Sequence, residues 1–133
     1  MSLQVPAMVA VGQQFTVEVK ADGVKELYSA PFSLIYDPIF SEFVSATEGG
    51  FLKQDGKPTT FSAVNDPAGG KVSITLHRNG DVGGVTGNGV LMMATFKAKN
   101  VGPLNLGFSG VNFTTGEGKN LPMVPYNVLV DVK

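Results

Sequence analysis

LYSAPFSLIYDPIFSEFVSA, residues Leu27 to Ala46, carries two strands and the corner between them. Ala30, Phe32, Leu34 and Tyr36 fall on one face, and Ser29, Pro31, Ser33 and Ile35 on the other. This is the period of two expected where a strand buries one side only. The spacing predicts one long strand ending at Tyr36. There Asp37 can accept a hydrogen bond from the backbone two residues on, and Pro38 fixes its own φ. A second strand then covers Phe43 to Ala46.

The same alternation extends outward in both directions. Upstream, the apolar segment Val5 to Val11, broken by Pro6, reads as an edge or opening strand. Gln14 to Ala21 turns Phe15, Val17 and Val19 inward and Thr16, Glu18 and Lys20 outward, and Asp22-Gly23 supplies a turn signal to close it. Downstream, Glu48-Gly49-Gly50-Phe51-Leu52 predicts a single helical turn that tucks Phe51 or Leu52 under the sheets. Gln54 to Pro58 is a surface loop. Thr59 to Asn65, with Phe61 and Ala63 inward, and Lys71 to Asn79, with Val72, Ile74 and Leu76 inward, form a hairpin about the Asp66 to Gly70 turn.

A glycine-rich loop from Asn79 to Gly89 precedes the strongly apolar strand Val90 to Lys99, where Met92 and Met93 point to burial on both sides at one level. Leu104, Leu106 and Phe108 alternate with Asn105, Gly107 and Ser109. Thr114 to Asn120 is a turn, and a last strand within Val124 to Lys133 is placed beside the first. No segment of ten residues has helical periodicity with caps, so the fold class is all-β, eight or nine strands in two packed sheets.

The composition bounds the function. At 133 residues the chain is one domain, residues 1–133, long enough to bury roughly two-thirds of its unfolded surface. Ten Lys plus Arg against eleven Asp plus Glu give a net charge of -1, which leaves no electrostatic footprint for nucleic acid or an anionic membrane surface. The absence of cysteine excludes disulfides, thiolate metal sites and a cysteine nucleophile. The longest apolar run, Val90 to Phe96, is far short of the roughly 20 residues that span a bilayer. Met1-Ser2-Leu3 has neither a basic region nor an apolar signal core, and is read as a start attached to a module excised from a larger protein.

Five fragments in order carry a family resemblance: Val11-Gly-Gln-Gln-Phe-Thr-Val17; Leu34-Ile-Tyr-Asp-Pro38 followed by Glu42-Phe-Val44; Gly70-Lys-Val-Ser-Ile74; Gly87-Asn-Gly-Val-Leu91; and Ala94-Thr-Phe-Lys97. Together they span nearly the whole chain, and they resemble the cohesin module, the receptor half of the cohesin–dockerin pair. The resemblance implies a nine-stranded jelly-roll sandwich whose dockerin-receiving sheet is built from the third, fifth, sixth and eighth strands. On this sequence the implied partner-binding residues are Ser29, Pro31, Ser33, Ile35, Ser73, Thr75 and His77, with Asn105 and Gly107 at one side. Well-known members of the enzyme-scaffolding type carry Asn and Asp where this chain has Ser29 and Pro31. A proline at that place also implies a bulge or a locally open ladder.

Chemistry beyond binding finds little support in the residue types. His77 is the single histidine and has no second ligand at metal spacing, so a partner contact is favoured over a metal or acid–base role. Ser29, Ser33, Ser73 and Thr75 have no base assigned to them. The Asn79-Gly-Asp81 stretch fails as a calcium loop, because its twelfth position is Val90 in place of a bidentate glutamate. Asp55, Asp66, Asp81 and Glu117 read as solvated turn carboxylates.

The reading is therefore a non-catalytic protein-interaction module with no cofactor of its own, displayed outside the cytoplasm or on the cell envelope, whose dockerin-like partner binds any calcium. Two rivals stand beside it. One is a carbohydrate-binding module for a polysaccharide, for which Tyr28 and Tyr126 would have to converge, Tyr36 being assigned to the core. The other is a structural or assembly domain of a cell-envelope or secretion-channel protein.

Overall fold

A computed structural model describes residues 2–80, 83–121 and 128–133. The strands are β1 (Ser2–Gln4), β2 (Met8–Val9), β3 (Gln14–Ser29), β4 (Phe32–Tyr36), β5 (Ser41–Glu48), β6 (Thr59–Asp66), β7 (Lys71–Arg78), β8 (Val85–Ala98), β9 (Gly102–Ser109), β10 (Thr114–Thr115) and β11 (Val128–Val132). The only helical turn among the described residues is a 3-10 turn at Phe51–Lys53.

The ladder runs β2-β11-β9-β4-β7, with β6 on the free edge of β7, and continues as β3-β8-β5, with β1 and β10 on β3. β7 and β3 share the single pair Ser29↔His77, whereas β3 and β8 pair from Gln14↔Lys97 to Leu27↔Val85. The chain therefore folds over at Ser29 into two layers, β6-β7-β4-β9-β11-β2 and β5-β8-β3-β1. The all-β sandwich expected from sequence is what the structure shows. β2 lies parallel to β11, so the last strand does flank the opening one.

Between the layers sit the side chains that alternation assigned inward. Ala30, Phe32, Leu34 and Tyr36 of β4 and its approach are buried, as are Phe15, Val17 and Val19 of β3, Val72, Ile74 and Leu76 of β7, and Leu104, Leu106 and Phe108 of β9. The Tyr36 and Phe96 rings meet across the core at 5.1 Å, with Phe15 and Phe43 also against Phe96. The Tyr36 hydroxyl donates to Asn65 Oδ1 at 2.7 Å, and burial pushes its pKa up. The Asp37 corner closes as expected: its Oδ1 accepts from Ile39 N at 2.9 Å. Gly70 seals it from the hairpin side. Its φ of +66° and a Cβ position 2.2 Å from the Tyr36 carbonyl oxygen admit no side chain.

Several expectations need correcting. The segment from Leu27 to Tyr36 is two strands: Leu27–Ser29 is the end of β3, and β4 starts at Phe32. Asp22-Gly23 does not close β3, which continues to Ser29 through irregularities that shift its register against β8. Two residues there have positive φ, Gly23 at 60° and Glu26 at 53°. β8 side chains supply acceptors where the ladder is broken: Asn88 Oδ1 takes Gly23 N, and Thr86 Oγ1 takes Glu26 N. β8 accordingly starts at Val85 and absorbs the second half of the expected 79–89 loop. The doubly buried level of β8 falls at Leu91 and Met92, with Met93 half-buried, because the register shift between Val19 and Lys20 leaves Leu91 as the extra residue. The expected opening strand, Val5 to Val11, shortens to Met8–Val9 as β2, and β1 at Ser2–Gln4 lies ahead of it.

Phe51 and Leu52 are both buried under the 3-10 turn. Their clamp is Arg78, a charged residue at a core-facing position that the sequence reading did not single out. Only 1% exposed, it donates from Nη1 to the Leu52 carbonyl at 2.9 Å and from Nη2 to Asp55 Oδ2 at 2.7 Å. Asp55 is thus an ion-pair partner and more than a solvated turn carboxylate. Chiefly through the hydrogen bond from Arg78, its carboxyl is held below the usual range. Buried charge of this kind persists only when paired.

Candidate functional site

The outward face of the β6-β7-β4-β9-β11 layer gathers the residues named from sequence. Ser33 stands opposite Ser73 on one side and Ser109 on the other, and Ser73 is opposite Val64. Ser29 pairs with His77, and His77 with Thr60. Thr75 faces Ser62. Ile35 lies between Lys71 and Gly107. Asn105 is opposite Leu129, one outward position beyond Gly107. All nine predicted residues therefore lie on one side of one layer.

Pro31 sits in this face without a bulge. The pairs Ser29↔His77 and Phe32↔Ile74 share one register, which places Pro31 opposite Thr75. Ala30 N donates to the Leu76 carbonyl at 2.8 Å, so by the alternation of an antiparallel ladder the nitrogen of Pro31 points away from β7. The missing donor costs β7 no bond. On its other side the Pro31 carbonyl accepts from Asn112 N at 3.2 Å.

The surface is low in relief and nearly free of charge. Its exposed side chains are mostly hydroxyls. Asp66 and Lys71, opposite each other at the hairpin end, and Asp131 on β11 are its flanking charges among the described residues. His77 Nδ1 lies 2.9 Å from the Arg78 carbonyl. A carbonyl can only accept, so this nitrogen carries a proton. Among the described residues no group of three His, Asp or Glu side chains comes together to hold an ion. The Asn79–Asp81 stretch lies partly outside the described residues.

Sequence reasoning left out part of this face. Thr60, Ser62 and Val64 of β6 are exposed beside β7, and Leu129 of β11 is 57% exposed beyond Asn105. The inward assignment of Phe61 and Ala63 already implied the β6 row. Only the strand order, which is a long-range property, brings that row to the edge of the face.

Two concavities bear on ligand chemistry. A shallow depression of about 250 Å³ on the outward face is lined by Ile35, Asn105, Leu106, Gly107 and Phe108. Another, about 280 Å³, lies away from that face, among Glu26, Tyr28, Gly80, Gly83, Gly84, Gly116 and Glu117. The Tyr28 hydroxyl donates to the Gly80 carbonyl there. Tyr36 is buried and Tyr126 lies outside the described residues, so no pair of tyrosines forms a platform among the described residues.

The cohesin domain family model matches residues 2–127. A search of curated proteins finds no match. Among solved structures, the sixth cohesin of Acetivibrio cellulolyticus scaffoldin B, in complex with a mutant Cel5 dockerin, superposes with a TM-score of 0.79 at 19% identity, covering 100% of each chain. A cohesin module of a Clostridium perfringens family 33 glycoside hydrolase gives 0.79 at 18% identity, covering 98% of this chain and 93% of its own. A non-cellulosomal cohesin from the archaeon Archaeoglobus fulgidus gives 0.79 at 15% identity, covering 100% and 92%. At these identities the superpositions speak for the fold.

Proposed function

This chain belongs to the cohesin domain family, and we propose that it is a non-catalytic binding module that holds a dockerin-like protein on the outward face of the β6-β7-β4-β9-β11 layer. The observation that carries the reading is the family match across residues 2–127. The face supports it, since Ser29, Ser33, Ser73 and Thr75 can approach a helix closely and hydrogen-bond it without a buried charge.

The dimensions say how much of the surface is needed. Five strands spaced about 4.8 Å apart, about 26 Å long where they run eight residues (β6, β7, β9) and about 17 Å where they run five (β4, β11), offer on the order of 400 Å² of flat area. A stable complex uses roughly 800 Å² per partner. The loops at the rim, the Asp37-Pro38 corner and the 66–70 turn among them, therefore have to join the contact. Calcium belongs to the partner in this reading, and the module is displayed outside the cytoplasm as part of a longer polypeptide.

The test is calorimetric titration of the module with a panel of recombinant dockerin modules, in calcium and in chelator. Saturable 1:1 binding in calcium, lost in chelator, is the expected result. Heat of binding to soluble glucans or other polysaccharides, with none to any dockerin, would transfer the fold to a sugar-binding role.

A further inference from the structure

The outward face has two chemistries side by side. Its β6–β7 half exposes mostly hydroxyls, Thr60, Ser62, Ser73 and Thr75, with Val64 beside them. Its β4–β9–β11 half presents half-buried Ile35 and exposed Leu129, and between them lies the depression over Gly107. The cause is local. Every other outward position along β4 and β9 carries a side chain, and the glycine leaves a gap bounded by Ile35 and by the flanks of Leu106 and Phe108, with Asn105 as a polar lip.

We propose, resting on the reading above, that this depression is the anchor point of the face and takes one uncharged aliphatic side chain, of the leucine, isoleucine, valine or methionine type, from a helix of the partner. The lining decides the chemistry. No charged side chain lines the depression, so a charged group placed there would lose water against an uncharged wall. An aliphatic group meets Ile35 and the strand backbone at Leu106, Gly107 and Phe108. Its burial is worth roughly 10- to 150-fold in affinity, enough to give one contact a large share in partner choice on a face whose exposed side chains are mostly hydroxyls. Leu129 extends the apolar half and sets the side toward which the helix leans.

The probe is a calcium-loaded dockerin module whose helix-face positions are randomised and which is displayed and selected on this chain. Selected binders are expected to carry an aliphatic residue at one randomised position. They should lose at least about 10-fold in affinity against Ile35→Ser and against Gly107→Val, while Thr95→Ala on the opposite layer changes affinity by no more than about 3-fold. Ile35 is at the surface, so Ile35→Ser keeps the test valid should Gly107→Val disturb the strand; an unchanged melting transition checks each variant. Binders that are lost on Thr75→Arg but hold Ile35→Ser and Gly107→Val at full affinity would overturn the anchor and leave the binding face standing. Binders indifferent to all three variants, or no binders at all, would overturn both.

Discussion

On the layer built from β6, β7, β4 and β9 the outward rows run Val64–Ser73–Ser33–Ser109 and Thr60–His77–Ser29. Across the core, on β5, β8 and β3, they run Glu42–Lys97–Gln14, Ser45–Thr95–Thr16 and Thr47–Met93–Glu18. The second face interleaves charges of both signs, with Lys20 and Glu18 paired at 3.8 Å. Such pairs add little stability where they stand, but each charge would have to be desolvated by anything that docked there. The first face can be dried at far lower cost. The outward residues thus make one surface costly to dry and the other far less so.

The strongest way to break this comparison is to put a charge on the neutral face. Ser33→Arg or Thr75→Arg is expected to weaken dockerin binding by at least about 30-fold, the scale of an interface hot spot, with the melting temperature nearly unchanged. Thr95→Arg on the opposite face should leave binding intact. Calorimetry and thermal melts on the three variants read both quantities.

One residue along from Ser33, the consequence reverses. Leu34 is fully buried, and Leu34→Ala should cost about 2–5 kcal/mol of stability through the cavity it leaves. Chemical denaturation measures this, and an unchanged midpoint would mean the two sides of β4 had been exchanged.

Acid gives a smaller effect, located away from both faces. The folded Asp55 carboxyl is held below its ordinary pKa by Arg78. The stability from this pair is therefore fully present above an ordinary aspartate value of about 3.9, and is lost as the pH falls through the depressed folded value. Asp55→Asn should flatten the acid limb of a stability–pH profile below about pH 4. Smallest of all, Pro31→Ala should change stability by less than about 1 kcal/mol, because the proline nitrogen points away from β7. A larger loss would show that the ladder depends on that residue after all.

Alternation made most of the layers legible in the sequence: Phe15, Val17 and Val19, or Val72, Ile74 and Leu76, declare their side of a strand within a few residues. Continuation of β3 past Asp22-Gly23 could not be read locally, since the bonds that carry it through come from Asn88 and Thr86, 65 and 60 positions away in the chain. Arg78 was legible by half. The period places it inward, but the Leu52 carbonyl and Asp55 that make its burial tolerable belong to a distant turn. For the candidate site, both faces of β4 and β7 followed from pattern. The β6 row and Leu129 came only with strand order, and the depression over Gly107 only with the neighbours of a residue that has no side chain to announce it.

An amide footprint tests the central claim most directly: nitrogen–proton correlation spectra of the module, free and saturated with a calcium-loaded dockerin. The account predicts shifts concentrated at Ser33, Ile35, Ser73, Thr75 and Gly107, with Thr16, Lys97 and Glu42 undisturbed. Shifts on the charged face instead, with β4 and β7 silent, would contradict it.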